Sequence, residues 1–580
     1  MDKARRERDG KGNRRIWILS FEASDVVYIG GLGQAVSTLA HALSRLGNQV
    51  TVFMPSHGRQ RSPELIKKTS LGEYPGFLAS GSRRGVDNKD YPYSVGFVTG
   101  YVGKVRYMLA VGMDEVSSRW LDHEQVYNHD LTFEKMAFFA RAMKHFMDFS
   151  ILQDDDLPDI IHMNDWHTVP AGTIAKQRAE LKSKSIPLVF TIHLLSFRGL
   201  PWHYLSEDWC GLEDIPTKFV LEGRRVSTTP KKLWEERCQG SFERFGSAYS
   251  DWVTTVSRSY LHEDLIPFIG RDVEGKAGYI YNGCDWNERD IVNEAAQRYG
   301  LTGAEISRNA LRSYLLTSVL ERSGKPINQE KEVDQVLSNF WGGDLFLESG
   351  AVRSFDTDRR LVLMTGRLSR QKGVDILIEA IPEVLRRLPD TNFLLMLSAG
   401  QEVDTLRWIL TECSKYAENV RVVVGALPSI YRLAHAASDV FAMPSRWEPF
   451  GIAALEAMST GNPVVASKVG GLKEIILDLR EEPERGTGLL VERENIRELA
   501  DGIVSVMMMV EAGDSGSEHV LEGMPEPKLA RVVLENQNLC SQIRDNCRRR
   551  VDECFRPVNS AKMAIEAYSN AELILAHDRQ

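Results

Sequence analysis

The stretch MPSRWEPFGIAALEAM, residues 443–458, decides the fold of this chain. It begins at the end of a short apolar run, passes through a Pro-Ser loop that carries Glu448, and continues into a helical segment that carries Glu456. A strand that leads through a short loop into a helix is the unit of a parallel sheet covered by helices. A carboxylate in such a loop can accept hydrogen bonds from sugar hydroxyls, and one two turns along the helix can meet a ribose.

The same alternation of apolar runs and helical segments extends in both directions and occurs twice along the chain. In the first half, the predicted strands are 16–21, 50–54, 159–163, 188–193, 252–257 and 279–282. In the second half, they are 361–367, 393–399, 420–425, 440–443 and 463–467. The pattern predicts the α/β class, with two Rossmann-like parallel-sheet domains that face each other across a cleft and bind ligands at the carboxyl ends of their strands.

Changes in composition divide the chain into segments. Residues 1–15 are a mostly charged, basic leader that we expect to be disordered, and 288–352 is a charged stretch without a convincing strand, which predicts a helical linker or insertion. The predicted domains are 16–287 and 353–554, and residues 555–580 are predicted to form a C-terminal helix.

The composition excludes several classes of protein. Of the 580 residues, 43% are hydrophobic and 26% charged, as in ordinary globular proteins, and the formal net charge of -9 argues against a nucleic-acid partner. Seven cysteines without a Cys-x-x-Cys pair do not indicate a secreted disulfide framework. No apolar stretch approaches the ~20 residues that span a bilayer. We therefore expect a cytoplasmic protein with no membrane partner.

Glycines and polar side chains follow the predicted strands of the first half. Gly30 and Gly31 open a helical segment, where backbone amides and the helix dipole favour a phosphate or a polar sugar. Asp165 and His167 follow one strand and His193 follows the next. Because the carboxyl ends of parallel strands meet at one edge, these side chains are candidates for a single site. A nicotinamide site is disfavoured, because the third glycine of that fingerprint is missing.

A basic loop follows the first strand of the second half. It runs from Gly366-Arg367 to Lys372-Gly373 and opens a helix, so that both charges and the backbone amides can converge on a diphosphate. Because this clamp supplies the positive charge, we expect neither a metal nor another cofactor. Two Asp-x-Asp sequences, 154–156 and 356–358, precede strands instead of following them, and we interpret them as solvated loops.

Together these motifs resemble the glycogen and starch synthases, most closely the archaeal-type glycogen synthases, among the retaining glycosyltransferases of the B fold (GT-B). The resemblance extends from residue 16 to about residue 494. The resemblance rests on eight motifs, which occur in the same order as in the family: 30–32, 162–167, 191–193, 255–257, 281–285, 366–373, 444–456 and 469–472.

The resemblance implies a role for the residues of the donor side. Arg367 and Lys372 would neutralise the donor diphosphate, Glu456 would hold the nucleotide ribose, and Glu448 would contact the transferred sugar. The implied reaction is transfer of glucose from ADP-glucose or UDP-glucose to the non-reducing end of an α-1,4-glucan such as glycogen, with retention. The other implied donor-binding residues are Gly30, Gly31, Asn282, Gly470 and Gly471.

The resemblance also implies an acceptor side, where His193 lies near the anomeric centre and Asp165 lines the sugar and acceptor side of the cleft. Tyr28 and His167 are further candidates there. Tyr28 departs from the family pattern, because members usually carry a lysine two residues before the glycine pair. Phe450 stands where the bacterial branch has a cysteine and agrees with the archaeal branch.

Other functions remain open at this point. One is a different retaining glycosyltransferase that passes a hexose to a small molecule or a lipid. Another is a catalytically silent glucan-binding protein, which the clamp of Arg367 and Lys372 disfavours. A third is an isomerase of the same two-domain fold that acts on a nucleotide sugar and needs no glucan. The sequence determines neither the base of the donor nor the oligomeric state.

Overall fold

The computed structural model describes residues 13–577, except for positions 86, 128, 154–155, 197–198, 329, 401 and 537. The chain forms two compact units, which we call the first and the second unit. The first unit combines Met1–Gly283 with Pro557–Gln580, and the second is Cys284–Arg556. Most of the predicted leader lies outside the described residues, and Arg15 already belongs to the first strand.

The first unit contains a sheet with the strand order β11-β10-β7-β6-β1-β2-β5-β4-β3. Its strands are β1 (Arg15–Leu19), β2 (Gln49–Pro55), β3 (Gly72–Arg84), β4 (Asp90–Val102), β5 (Val105–Gly112), β6 (Ile160–Asn164), β7 (Leu188–Ile192), β10 (Trp252–Thr255) and β11 (Ala277–Tyr279). From β11 to β5 all pairings are parallel. Every residue of β6 and β7 is buried, and the polar side chains among them are hydrogen-bonded: Nε2 of His162 on β6 lies 2.6 Å from Oγ1 of Thr191 on β7.

Three parts of this unit were not predicted from the sequence. β5 pairs in parallel with β2, β3 and β4 extend the sheet beyond it with antiparallel pairings, and the hairpin of β8 (Thr217–Leu221) and β9 (Arg224–Thr228) forms a separate two-stranded sheet. The predicted strand 279–282 is wrong in its bounds, because β11 ends at Tyr279. Residues 280–282 therefore form the loop at the carboxyl end of β11.

The last helix of the chain, Pro557–His577, belongs to the first unit. The hydroxyl of Tyr568 lies 2.9 Å from Nδ1 of His162 on β6, and Arg14 pairs with Glu572 at 3.0 Å. The other helices of seven or more residues in this unit are Gly31–Arg45, Pro63–Thr69, Glu115–Leu121, His129–Gln153, Val169–Leu181 and Phe242–Tyr249.

The second unit contains a parallel sheet with the order β14-β13-β12-β15-β16-β17. Its strands are β12 (Arg360–Arg367), β13 (Thr391–Ser398), β14 (Val420–Val424), β15 (Val440–Met443), β16 (Val464–Ser467) and β17 (Gly488–Val491). The sequence predicted the first five of these strands and missed β17. The residues of β14, β15 and β16 are all buried.

The segment 288–352, expected to be a linker, is counted within the second unit. An ion pair holds the segment there, because Arg312 donates two hydrogen bonds to the buried carboxylate of Asp439, at 2.8 and 3.0 Å. The helices of seven or more residues in this unit are Glu288–Tyr299, Arg308–Tyr314, Lys331–Ser338, Val374–Arg387, Val403–Ser414, Pro428–Ala437, Ile452–Ser459, Ile496–Ser515, Pro527–Glu535 and Asn538–Cys554.

Two smaller expectations concern charge and hydropathy. Of the two Asp-x-Asp sequences, 356–358 is exposed, as expected, whereas Asp156 is partly buried and its carboxylate pairs with Arg106 at 2.7 Å; Asp154 lies outside the described residues. Among the helices that the structure describes, none has the length and apolar character that crossing a membrane requires.

Candidate active site

The carboxylate of the buried Glu22 organises the loop between β1 and the helix Gly31–Arg45. Its Oε2 accepts hydrogen bonds from the backbone N–H groups of Ile29 at 3.0 Å and Gly30 at 2.9 Å. Its Oε1 accepts a hydrogen bond from the hydroxyl of Tyr127 at 2.6 Å. Gly30 caps the helix, and a Cβ built on it meets no described atom within 4 Å. The amides of the first helical turn are therefore accessible to an anionic or polar group.

Asp165 follows β6 in a strained backbone conformation, with φ of 58° and ψ of 166°. A non-glycine residue adopts this conformation only when its surroundings enforce it. Here the carboxylate accepts hydrogen bonds from the N–H groups of His193 at 2.7 Å and Leu194 at 3.2 Å, so that it fixes the turn that follows β7. Burial raises the pKa of Asp165 to about 7, against the effect of these two hydrogen bonds.

His193 lies beside Asp165, as the sequence predicted. Burial lowers the pKa of its imidazole to about 4, so the ring is neutral near pH 7. Its Nε2 lies 3.0 Å from Oδ1 of Asn164, whose amide group donates to the backbone carbonyl of Leu19 at 3.3 Å. Because Oδ1 can only accept, Nε2 carries the proton and Nδ1 is the basic nitrogen of the ring.

His167 is stacked among aromatic rings. Its ring centroid lies 3.9 Å from that of Trp166, 5.0 Å from that of Phe21 and 4.9 Å from that of Tyr127. Tyr127 is the residue that donates to Glu22. His167 is therefore buried against the strand ends, close to the residues that hold the glycine loop, and its ring contributes to packing.

Asn282 and Tyr28 have different surroundings within the first unit. Asn282 lines a small cavity together with Asn164, Thr191 and His193. Tyr28 precedes the glycine pair and is 60% exposed. The cavity places Asn282 on the same sheet edge as His193, and the exposure of Tyr28 leaves much of its ring accessible to a ligand.

In the second unit, the predicted clamp follows β12. Arg367 is exposed, and its guanidinium lies 3.4 Å from Oε1 of Gln371. Gly373 ends the loop with φ of +66° and opens the helix Val374–Arg387. A Cβ on Gly373 would lie 2.1 Å from the carbonyl oxygen of Pro444, so only glycine permits the loop to pack against the neighbouring strand end.

Lys372 and Glu448 form an ion pair, with Nζ 2.5 Å from Oε2. The lysine side chain is only 15% exposed and that of the glutamate 9%. Ser445 contributes a weaker hydrogen bond to the same carboxylate at 3.4 Å. Although Lys372 lies on a loop, its side chain is therefore mostly buried, because it turns toward a buried carboxylate.

The loop that carries Glu448 is held in place by ion pairs on its other side. Arg446 donates to Asp375 at 2.9 and 2.7 Å and to Glu494 at 2.5 Å. Gln371 donates to the carbonyl of Trp447 at 3.1 Å. Bidentate arginine pairs fix direction as well as distance. The loops 366–373 and 444–451 are thus joined into one rigid element.

Gly470 and Gly471 pack directly on Glu448. The N–H of Gly471 donates to the carbonyl of Glu448 at 3.0 Å. Gly470 has φ of +44°, and a Cβ on it would lie 2.0 Å from the same carbonyl oxygen. The predicted glycine turn therefore contacts the backbone of Glu448 and leaves no room for a side chain.

Glu456 lies on the helix Ile452–Ser459, two turns beyond Glu448, and is buried. Its Oε2 accepts a hydrogen bond from the hydroxyl of Tyr431 at 2.8 Å. Burial raises the pKa of Glu456 to about 7, while the hydrogen bond from Tyr431 opposes this rise.

Three residues of these sites were not predicted from the sequence: Glu22, Asn164 and Tyr431. Glu22 directly follows the predicted strand 16–21, and Asn164 lies within the motif 162–167, so their positions were a usable signal. Tyr431 lies within a helix, Pro428–Ala437, and its sequence context carries no such signal.

Two protein-family profiles match the chain. Residues 15–277 match the starch synthase catalytic domain, and residues 348–511 match the glycosyl transferases group 1. The chain belongs to the glycogen and starch synthase family. It is therefore a glycosyltransferase. The finer assignment to the archaeal type stays a prediction.

Curated members of the glycogen synthase family are similar over most of their length. The glycogen synthase of Bacillus subtilis (strain 168) is 26% identical over 499 residues, which cover 82% of this chain and 87% of that protein. The glycogen synthase of Exiguobacterium sibiricum is 24% identical over 509 residues, which cover 84% of this chain and 90% of that protein.

A solved structure of the family shares the fold. The catalytic domain of starch synthase IV from Arabidopsis thaliana, bound to ADP and acarbose, matches with a TM-score of 0.66 and 19% identity over 97% of this chain and 99% of that one. This likeness confirms the predicted GT-B fold class.

Proposed function

We propose that this protein is a glucosyltransferase of the glycogen or starch synthase type. It transfers glucose from a nucleotide diphosphate glucose, ADP-glucose or UDP-glucose, to the non-reducing end of an α-1,4-glucan and retains the anomeric configuration. The observation that carries the proposal is the rigid element of the second unit, in which Arg367, Lys372 and Glu448 lie at the carboxyl ends of two neighbouring strands.

The donor side follows from the chemistry of that element. Arg367 and Lys372 supply two positive charges, and the helix Val374–Arg387 adds its N-terminal amides, so the diphosphate meets several fixed donors. Glu448 accepts hydrogen bonds from the hydroxyls of the transferred glucose, and Glu456 accepts them from the ribose. Gly470 and Gly471 allow a ligand to approach the backbone beside Glu448.

The acceptor side is assigned to the first unit. In this proposal Asp165 and His193 line the glucose and the attacking hydroxyl, and Asn282, Gly30 and Gly31 contact the donor. The support is that the N–H of His193 donates to Asp165 and that His193 and Asn282 line one small cavity. A neutral His193 can accept a hydrogen bond at Nδ1 without adding charge. Tyr28 offers an exposed ring and hydroxyl to the sugar or glucan, and His167 supports this region from behind by packing.

Charge develops at two centres during transfer: the leaving diphosphate becomes more negative and the glucose becomes oxocarbenium-like. Preorganised cations next to the leaving group stabilise the transition state more than the ground state. Arg367 and Lys372 fill this role in the proposal, and no metal ion is assigned to it.

The relatives support the acceptor and donor classes. Curated relatives over more than four-fifths of the chain are named glycogen synthases, and the starch synthase IV structure is bound to ADP and to acarbose. These names favour a polymeric glucan over a lipid or a small acceptor. They leave the base of the donor open.

The test incubates the purified protein with ADP-glucose or UDP-glucose, with and without glycogen, and measures released nucleoside diphosphate and the lengthening of the glucan, each with and without EDTA. We expect release that depends on glycogen and resists EDTA, with an α-configured product. Release with a small or lipid acceptor but not with glycogen would support the wider transferase group. Glycogen binding without any release would support a silent binding protein.

A further inference from the structure

The hydroxyl of Tyr431 lies between Glu456, the carboxylate assigned to the ribose, and β12, the strand that leads into the diphosphate clamp. Its oxygen lies 2.8 Å from Oε2 of Glu456 and 3.4 Å from Oγ1 of Thr365, which is the residue directly before Gly366-Arg367 on β12. Thr365 is buried. Tyr431 therefore joins the carboxylate assigned to the ribose with the strand that carries the clamp for the diphosphate.

The directions of these hydrogen bonds follow from the groups involved. An ionised Glu456 can only accept, so the phenolic proton of Tyr431 points to it. The hydroxyl of Thr365 then donates its proton to the oxygen of Tyr431. Two successive hydrogen bonds thus run from Thr365 through Tyr431 to Oε2 of Glu456. The other carboxylate oxygen, Oε1, can then accept a hydrogen bond from a ligand.

The ring of Tyr431 is held by its aromatic neighbours. Its centroid lies 5.8 Å from that of Trp286, at an interplanar angle of 86°, and 5.1 Å from that of His435, at 63°. Trp286 and His435 also pack edge to face on each other at 5.2 Å. These edge-to-face contacts restrict the ring, so the hydroxyl has little freedom to leave Glu456.

The charges that face Glu456 come from several elements. Asp285 lies on the loop before the helix Glu288–Tyr299 and raises the pKa of Glu456, while Arg432, on the same helix as Tyr431, lowers it. The buried thiol of Cys284 is neutral, because its pKa is raised to about 12. Apart from Arg432, the phenol of Tyr431 is the group that favours the ionised carboxylate against burial and Asp285.

We propose that Tyr431 is a positioning residue for the nucleotide: its hydroxyl favours the ionised form of Glu456, aims this carboxylate at the ribose hydroxyls and connects it to the end of β12. The proposal deepens the proposed function and rests on it. The proposal makes two predictions that a purely structural role of Tyr431 would not make. Loss of the hydroxyl weakens nucleotide binding more than turnover, and it moves the pH dependence of binding.

The experiment compares Tyr431→Phe with a matched control, Tyr299→Phe. Tyr299 donates its hydroxyl to the backbone carbonyl of Ser429 at 3.0 Å, which lies on the same helix as Tyr431. Both changes remove one phenolic hydrogen bond to or from this helix, but only Tyr431 contacts Glu456. Calorimetry with ADP and with UDP between pH 6 and 9 gives the Kd, and steady-state rates with glycogen give KM and kcat.

We expect Tyr431→Phe to raise the Kd of the preferred nucleotide about tenfold at pH 7, the size expected for one hydrogen bond to a charged group. The pH below which binding weakens should rise, because the carboxylate loses a donor that stabilises its ionised form. The KM for the nucleotide sugar should follow the Kd, kcat should change less than threefold, and Tyr299→Phe should match the wild type in all of these quantities.

A second pair of variants separates the effect on Glu456 from other effects. In a Glu456→Gln background, where no carboxylate titrates at this position, Tyr431→Phe should no longer move the pH dependence. The inference is overturned by an unchanged Kd in folded Tyr431→Phe, by an equal effect of Tyr299→Phe, or by a pH shift that persists in the Glu456→Gln background. If the wild type itself neither binds ADP or UDP nor transfers glucose, the proposed function fails and this inference fails with it.

Discussion

The ammonium group of Lys372 lies 2.5 Å from the carboxylate of Glu448, so the cation assigned to the diphosphate and the carboxylate assigned to the sugar are each other's partner. Both side chains are largely buried. Removal of one partner from such a pair leaves a buried charge that is no longer compensated. A nucleotide sugar that contacts both side chains replaces part of the ion pair between Lys372 and Glu448. We therefore expect this ion pair to rearrange when the nucleotide sugar binds.

Lys372→Ala should therefore reduce both turnover and stability. Loss of one preorganised donor to the leaving group should cost about 3 kcal/mol, or on the order of a hundredfold in kcat. Because Glu448 loses its partner, the free energy of unfolding should also fall, by on the order of 1–3 kcal/mol. Rates with saturating substrates and urea unfolding measure the two effects.

Lys415→Ala is the matched control, because Lys415 also pairs with a glutamate, Glu412, but on the surface, with 57% of the lysine side chain exposed. It should change neither quantity appreciably. A Lys372→Ala variant with full kcat would show that the diphosphate binds elsewhere.

Glu22→Ala should release the glycine loop of the first unit. The variant removes the acceptor of two backbone N–H groups and of the hydroxyl of Tyr127, so we expect a loss of stability of about 1–3 kcal/mol. The rate of glucose transfer should fall at least tenfold if Gly30 and Gly31 contact the donor. Glu73→Ala, at an exposed glutamate on β3, serves as the control. Equal rates of glucose transfer in the two variants would show that the glycine loop is not part of the active site.

Gly373→Ala tests whether the close approach at the clamp is required. A Cβ there would lie 2.1 Å from the carbonyl oxygen of Pro444, in a residue with φ of +66°. Gly300 has almost the same φ, +68°, but a Cβ on it meets no described atom within 4 Å. Gly300→Ala should cost only the backbone strain of about 1 kcal/mol. Thermal unfolding should show a larger loss for Gly373→Ala, together with weaker nucleotide binding; equal losses would contradict the steric argument.

The buried Lys135 should make stability depend on pH above neutrality. Its ammonium donates to Nδ1 of His57 at 2.9 Å and to the carbonyls of His123 at 2.9 Å and Gln125 at 2.5 Å. Burial lowers its pKa to about 7 from 10.5. Between these two values the unfolded chain binds more protons than the folded one, so this group makes stability rise with pH, by at most ~1.4 kcal/mol per pH unit.

Lys135→Met should abolish this contribution, and Lys182→Met, at an exposed lysine, should not. Urea unfolding at intervals from pH 6 to 10 gives the difference between wild type and each variant. A difference for Lys135→Met that stays constant over this range would show that the lysine keeps an ordinary pKa in the folded protein.

Tyr28, where the family usually has a lysine, should support the glucan and not the diphosphate. Tyr28→Lys should keep or raise activity, and Tyr28→Ala should mainly raise the KM for glucan, because 60% of the residue is exposed to a ligand. Should Tyr28→Lys abolish activity while Tyr28→Ala leaves the KM for glucan unchanged, the acceptor role of this position must be withdrawn.

The sequence predicted the central strands of both sheets, because a strand buried on two faces is rich in apolar residues, as in residues 16–19 of β1 and in β15. It did not predict β3, in which buried and exposed residues are mixed and which pairs antiparallel with β4 at the edge of the sheet. Chain composition also suggested a linker at 288–352, although the pairing of Arg312 with Asp439, far apart in sequence, holds that segment in the second unit.

The site was predictable where function requires a local pattern and unpredictable where it requires a tertiary contact. The strand-end glycines and the basic loop can be recognised in the sequence, because the residues within each motif lie close together along the chain. The contact of Tyr431 with Glu456 joins two different helices, so no local pattern announces it. The sequence did not predict the ion pair of Lys372 with Glu448 for the same reason, since the two residues are 76 positions apart.

The helix Pro557–His577 follows the whole second unit in the chain but packs in the first unit. Its Tyr568 bonds to His162 on β6, and its Glu572 pairs with Arg14 next to β1, so the first unit cannot complete its packing until the second unit has been synthesised. The second unit, continuous from Cys284 to Arg556, has all of its residues available earlier. Chains that end before this helix would thus contain all residues of the second unit but an incomplete first unit, which would expose apolar strands to aggregation and proteolysis.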